Sequence, residues 1–217
     1  MTHVPGRWPS ALIVGAALVL SIVVGGVPLL AFLRDGAHLH CEYSDVGESA
    51  PGTYFCADGI GYIVPVVTTF VIWTLVCAAA IVAMSAWVPA ALRPRLLGVF
   101  ALAPLAYLSW IAAGAADSAG RTSTAQSRDL WTAPMLGVTI VLAAFAVVVL
   151  ALLVVRGARP RLVLYIAGGA LLLAALVAQP GMLAALLLAM GLFGASLILE
   201  RSRYEPRPTG PSRRAVP

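Results

Sequence analysis

Two cysteines and two histidines near the start of the chain are the residues best suited to chemistry. His38, His40, Cys41 and Cys56 all fall within one polar segment, residues 34–61. Two cysteines on the oxidising side of a membrane typically form a disulfide. Because this segment holds no third cysteine, the sequence predicts a Cys41–Cys56 disulfide that closes a loop. By the chain-entropy argument, such a bond stabilises the folded loop by about 3 kcal/mol.

The same four side chains leave two other chemistries open. If reduced, Cys41 and Cys56 join His38 and His40 as thiolate and imidazole ligands of the kind that copper and zinc prefer. The His-x-His-Cys spacing is not a usual zinc pattern, however, and the cysteines would have to escape oxidation. Thiol–disulfide exchange is the other alternative, but the Cys-x-x-Cys arrangement that lowers a thiol pKa is missing. We therefore expect no bound metal and no other cofactor.

The segment around these residues also has the composition of a docking element. It carries five acids against Arg34, which gives residues 34–61 a net charge of −4. Tyr43, Tyr54 and Phe55 add aromatic surface of the kind enriched in protein interfaces. The alternative is that these aromatics pack on the disulfide. A small disulfide-closed lobe of this composition could contact another protein.

The rest of the chain has the composition of a membrane protein. Of 217 residues, 61% are hydrophobic and 11% charged, whereas soluble proteins have about 25% charged residues. Long uncharged runs alternate with short polar segments, which predicts an all-α, polytopic membrane helical bundle over residues 1–200 with six transmembrane helices. The remaining residues, 201–217, are predicted to form a disordered basic tail. The predicted spans are 11–33, 62–88, 96–116, 133–155, 162–178 and 182–199.

Two of these spans have an alternative interpretation. The first run, 11–33, is longer than the usual signal-peptide core of about 7–15 residues, so we interpret it as a retained span. Residues 162–199 are too long for one crossing, because a helix rises about 1.5 Å per residue and the hydrocarbon core is about 30 Å thick. Gln179-Pro180-Gly181 predicts a turn at the midpoint. Both halves are short, which leaves a re-entrant hairpin open.

The basic residues predict the orientation of the bundle. All 14 are arginines, and with the N-terminus inside, eleven lie in cytoplasmic segments. Only Arg34, Arg121 and Arg128 lie outside. This bias predicts that both termini are cytoplasmic, and it explains the basic charge without a nucleic-acid partner. The Ala, Leu, Val, Gly and Arg bias further indicates a bacterial protein of the plasma membrane.

The predicted spans offer little to catalysis or to ion transport. None contains Asp, Glu, Arg, Lys or His in its interior, whereas proton relays and voltage sensors normally need such groups. We therefore assign no catalytic residue. Thr68, Tyr107 and Thr139 are candidates for lining the pathway of a neutral solute. Hydroxyls in spans more often bond to helix carbonyls or to neighbouring helices.

These observations give a ranked expectation of function. The first is a non-catalytic accessory or interaction subunit in the lipid bilayer, in contact with another membrane protein or with further copies of itself. The alternative is a permease for a neutral or weakly polar small solute. A membrane enzyme that uses residues of the 34–61 segment ranks third, because no catalytic motif is present.

Overall fold

The computed structural model describes residues 7–43, 54–84, 88–122 and 125–203. Within these ranges the regular secondary structure is helical apart from one small hairpin. The predicted tail beyond residue 203 and the hairpin tip, residues 44–53, lie outside the described residues. The elements in chain order are α1 (Arg7–Ala31), β1 (Cys41–Tyr43), β2 (Tyr54–Cys56), α2 (Ile63–Ala83), α3 (Arg93–Phe100), α4 (Ala103–Thr122), α5 (Ala125–Val154), α6 (Ala158–Ala178) and α7 (Leu183–Arg201).

The prediction of a multi-pass helical membrane protein is confirmed. Among the described residues, five helical stretches are long and apolar enough to cross a bilayer: Trp8–Gly36, Gly59–Ala83, Arg93–Ala115, Ala158–Ala178 and Pro180–Arg201. The remaining predicted span falls in α5, where Thr139–Val154 is a shorter apolar segment. Large apolar side chains such as Val27 and Val177 are exposed on the outer helix surfaces. Such surfaces require lipid rather than water around them.

The predicted third span, 96–116, is interrupted. It consists of α3 and α4, which are separated by a turn at Ala101 and Leu102. Pro104 lies in the first turn of α4, where the missing proline N–H costs no helical hydrogen bond. The N–H of Ala101 donates to the Leu97 carbonyl at 3.0 Å, so the backbone stays hydrogen-bonded as the helix breaks.

Helix α7 lies at the centre of the bundle. In the most apolar 18 residues of its span, 61% is buried inside the protein. The corresponding share is at most 39% in the other four candidate spans. It packs against α1, α3, α4 and α6. Its buried residues include Leu186 and Leu188, which lie on opposite sides of the helix. A helix that is apolar on every side is typical of the middle of a bundle.

The closest contact of α7 is with α1. A Cβ added at Gly191 would lie 2.2 Å from the Cβ of Ala17, and one added at Gly25 would lie 2.5 Å from the Cβ of Ala184. The two backbones approach this closely because glycine has no side chain. The Ser21 hydroxyl donates to the Ala184 carbonyl at 2.8 Å across the same contact. Residue 17 lies beside residue 191, and residue 25 lies beside residue 184. The two helices are therefore antiparallel.

We expect Gly191→Ala to destabilise the protein by about 1–3 kcal/mol, because the added methyl group overlaps Ala17. Gly194→Ala is the matched control, since no described atom lies within 4 Å of a Cβ built there. The measurement is the free energy of unfolding in mixed micelles titrated with SDS. Equal stabilities for the two variants would contradict this description of the α1–α7 contact.

Candidate functional site

The predicted disulfide is confirmed, and it lies at the base of the hairpin. Strands β1 and β2 pair antiparallel, with Cys41 directly opposite Cys56 and Tyr43 opposite Tyr54. Cys41 and Cys56 are bonded to each other. Because these residues begin one strand and end the other, the bond closes the hairpin where it meets the helical bundle. Residues 44–53 connect the two strands in the sequence.

A tight turn leads from α1 into the hairpin. After α1 the chain continues as one π-helical turn, Phe32–Gly36, and then reverses at residues 38–40. His38 and His40 both have positive φ, 48° and 57°, a conformation that costs an ordinary residue about 1–2 kcal/mol. The backbone N–H of Leu39 donates to the Leu33 carbonyl at 2.8 Å. This bond holds the turn against the end of the helix.

The hairpin base is also attached to two other helices. The hydroxyl of Tyr62, a buried residue just before α2, donates to the Leu39 carbonyl at 2.6 Å. The N–H of Ala57 donates to the His40 carbonyl at 3.1 Å. On α4, the buried Ala115 packs against Leu39 and Cys41. Contacts with α1, α2 and α4 thus hold the base of the hairpin in one position.

The structure brings together three of the four residues that the sequence predicted as possible ligands. Ligand atoms of His38, Cys41 and Cys56 all lie within 4.8 Å of one another. Burial lowers the pKa of His38 from its usual value, and the nearby Asp35 carboxylate partly opposes this effect. His40 lies outside this group, and its ring forms an edge-to-face pair with the Tyr62 ring at a centroid distance of 6.3 Å. Within the described residues, His38 and not His40 faces the sulfur atoms.

A second polar site lies at the opposite end of the bundle. Arg161 at the start of α6 and Glu200 at the end of α7 are both buried and form an ion pair. The other Nη of Arg161 donates to the Leu152 carbonyl at 3.0 Å, and Arg203 lies 3.3 Å from the second Glu200 oxygen. The buried charges are therefore paired, as burial requires, while the Nε atom of Arg161 has no hydrogen-bond partner among the described residues.

This polar site continues for one helical turn into the bundle. The Tyr165 and Ser196 hydroxyls are 2.7 Å apart, and Ser196 donates to the Pro94 carbonyl on α3 at 2.6 Å. The chain of bonds thus connects α3, α6 and α7. The sequence does not predict this site, because Tyr165 and Ser196 are isolated hydroxyls within predicted spans and Arg161 and Glu200 lie just outside them. A usable signal was present, because both pairs, Arg161 with Tyr165 and Ser196 with Glu200, have the spacing of four that places residues on one helix face.

The three residues proposed to line a solute pathway do not share one environment. Thr68 on α2 and Thr139 on α5 are exposed on the outer surfaces of their helices. Tyr107 on α4 is half-buried, beside the exposed Trp110. A pathway through one copy of the chain needs residues on the inner faces of the helices, and two of these three are exposed on outer surfaces. The solute pathway through these residues stays a prediction.

Comparison with known proteins identifies no family for this chain. No known protein family, no curated protein and no solved structure matches the chain. Its function is therefore inferred from its own residues, chiefly those at the hairpin base.

We expect Arg161→Met to destabilise the protein by about 3–5 kcal/mol, because it leaves the Glu200 carboxylate buried without its main partner. The double variant Arg161→Met with Glu200→Leu should recover most of the loss, since no buried charge then remains. Arg159→Met, at an exposed position of the same helical turn, is the control. Thermal unfolding in detergent, followed by circular dichroism, measures all three. A double variant as unstable as the single one would contradict the role given to this ion pair.

Proposed function

We propose that this protein is a non-catalytic accessory or interaction subunit of a membrane complex, and that its disulfide-closed hairpin contacts the partner. The observation that carries the proposal is the attachment of the hairpin base. The disulfide, the Tyr62–Leu39 hydrogen bond and the packing of Ala115 hold it against three helices.

A fixed base favours binding because it lowers the entropy lost when a loop is ordered at an interface. The tip between Tyr43 and Tyr54 contributes Asp45 and Glu48, and the whole 34–61 segment has a net charge of −4. Aromatic residues flank these acids on both strands. The partner surface that matches this composition is basic, with apolar pockets for aromatic rings.

We further propose six crossings of a bacterial plasma membrane, with both termini in the cytoplasm. The distribution of charge along the described bundle supports this orientation. Arg93, Arg161 and Arg203 lie at the end that holds the Glu200 ion pair, whereas Arg34 adjoins the hairpin at the other end. An excess of arginine at one end is typical of the cytoplasmic side. The disulfide then lies on the oxidising side, where it can persist.

This orientation predicts the behaviour of fusion proteins. Green fluorescent protein fused after residue 203 should fluoresce, because it folds in the cytoplasm. Alkaline phosphatase fused after Ala57 should be active, because that enzyme needs its disulfides and hence export. The reverse pattern, or an odd number of crossings, would contradict the proposed topology.

The docking proposal is tested by replacing the hairpin tip. In the variant, residues 44–53 become a Gly-Ser segment of the same length, with Cys41 and Cys56 retained. The full chain, purified in mild detergent, should carry a stoichiometric membrane partner. We expect the tip variant to co-purify with at least about tenfold less of that partner, since interface energy concentrates in a few residues.

Truncation after residue 203 is the matched control for this experiment, because it removes a segment of similar size that carries the basic tail. The truncated protein should retain its partner within about twofold, as expected of contacts outside an interface core. A wild-type chain that purifies without a partner, or a partner retained by the tip variant, would overturn the proposal. Free-thiol analysis of the tip variant confirms that the disulfide has formed.

The permease for a neutral solute remains the second candidate, and one observation favours it. Trp73 on α2 is completely buried, and its indole N–H has no hydrogen-bond acceptor among the described residues. A buried donor of this kind could bind a polar solute or a water molecule. Proteoliposomes that take up glycerol or urea faster than protein-free liposomes would favour this candidate over the accessory function.

A further inference from the structure

The base of the hairpin has the geometry of a metal site once its disulfide is opened. The imidazole nitrogen of His38 and the Sγ atoms of Cys41 and Cys56 lie within 4.8 Å of one another. Ligand atoms around a tetrahedral Zn²⁺ lie about 3.3–3.8 Å apart, given bonds of about 2.0–2.3 Å. The three side chains therefore need to move by only a small distance to share one ion.

The surroundings of the sulfur atoms also suit a cation. The Arg34 carbonyl oxygen lies 3.7 Å from the Cys41 Sγ and 3.9 Å from the Cys56 Sγ. The Leu39 carbonyl oxygen and the Tyr62 hydroxyl are each 3.7 Å from the Cys41 Sγ. These oxygens direct the negative ends of their dipoles at the site, and they would accept the weak S–H bonds of the free thiols.

The hairpin base does not depend on the disulfide alone. The Tyr62 hydroxyl bond to Leu39, the Ala57 bond to His40 and the pairing of β1 with β2 all involve other atoms. Reduction therefore leaves the two sulfur atoms held near His38. A preformed set of ligands of this kind avoids the ordering cost that a flexible loop pays when it binds a metal.

We propose that the hairpin base is a redox-gated site for a thiophilic cation, Zn²⁺ or Cu⁺, with His38, Cys41 and Cys56 as its ligands. A dithiol reductant transfers two electrons and two protons to the disulfide, which becomes two thiols while the reductant becomes a disulfide. Binding of the cation then releases both thiol protons to solvent. In the oxidised protein the sulfur atoms are bonded to each other and the site is closed.

The ligand types decide which cations fit. Two thiolates and one imidazole favour Zn²⁺ and Cu⁺ over Ca²⁺ or Mg²⁺, which prefer oxygen ligands. Zn²⁺ would keep a fourth position for water, whereas Cu⁺ would be coordinated by the two thiolates and the imidazole alone. The proposal does not depend on the docking function, because the ligands lie at the base of the hairpin and the proposed partner contact at its tip.

The test uses the full chain in detergent with Cys77→Ala, which removes the buried third cysteine. One sample stays oxidised, and the other is reduced with a dithiol and desalted without oxygen. Each is titrated with Zn²⁺ against a fluorescent zinc indicator and, separately, with Cu⁺ against a copper chelator. We expect about one equivalent to bind to the reduced protein, with a Kd at least about 100-fold below that of the oxidised protein.

His38→Ala and His40→Ala form a matched pair of variants. Loss of the His38 ligand should raise the Kd at least about tenfold, whereas loss of His40 should change it by no more than about twofold. A second readout leaves all three ligands unchanged and follows the rate at which Cys41 and Cys56 are alkylated in the reduced protein. Zn²⁺ should slow this alkylation at least about tenfold, because a coordinated thiolate is protected.

The outcomes separate clearly. Binding of either cation by the reduced protein alone, with His38 required and His40 dispensable, supports the proposal. Equal binding by oxidised and reduced protein, equal effects of the two histidine variants, or alkylation that neither cation slows would each overturn it. Loss of the protein partner in the tip variant, with metal binding intact, would show that the docking and metal functions are separate.

Discussion

The contact between α1 and α7 sets the geometry of the rest of the bundle. At Gly191 and Gly25 the two backbones come so close that no side chain fits between them. Helices in a membrane gain little from the hydrophobic effect on meeting each other, so close van der Waals packing must hold them together. The central position of α7 follows, because α3, α4 and α6 pack on the sides that α1 leaves free.

The same contact positions both polar sites. At one end of α1, Phe32 packs closely against Gly181 in the turn before α7, which fixes where the chain enters the hairpin. At the other end of α7, Ser196 and Glu200 reach α3 and α6 through buried hydrogen bonds. Charged side chains therefore stay at the ends of the helices, where pairing and nearby carbonyls offset the cost of burying them.

Part of this structure was predictable from the sequence for clear physical reasons. Uncharged runs long enough to cross a bilayer identify the helices, because lipid excludes unpaired charges and backbone groups. The Cys41–Cys56 bond followed from there being only two candidates. The break between α3 and α4 has one local signal, Pro104, which falls in the first turn of α4. The choice of His38 over His40 was not predictable, because it depends on backbone dihedrals and on the packing of Tyr62 and Ala115.

The ion pair between Arg161 and Glu200 shows how tertiary structure changes the meaning of a residue. In the sequence, Arg161 is one of many arginines beside a span, and such residues usually set orientation alone. Its burial against Glu200 and Leu152 makes it a link between α5, α6 and α7. Glu200 carried the better signal, since acids are scarce among the predicted cytoplasmic segments.

The central claim is that the hairpin tip, held on a fixed base, contacts a partner protein. Photo-crosslinking in living cells tests it most directly, with a photoreactive residue placed at Ser49 in the tip or at the exposed Val177 on α6. We expect a specific protein adduct from position 49 and none from position 177. An adduct from position 177 alone, or from neither position, would contradict it.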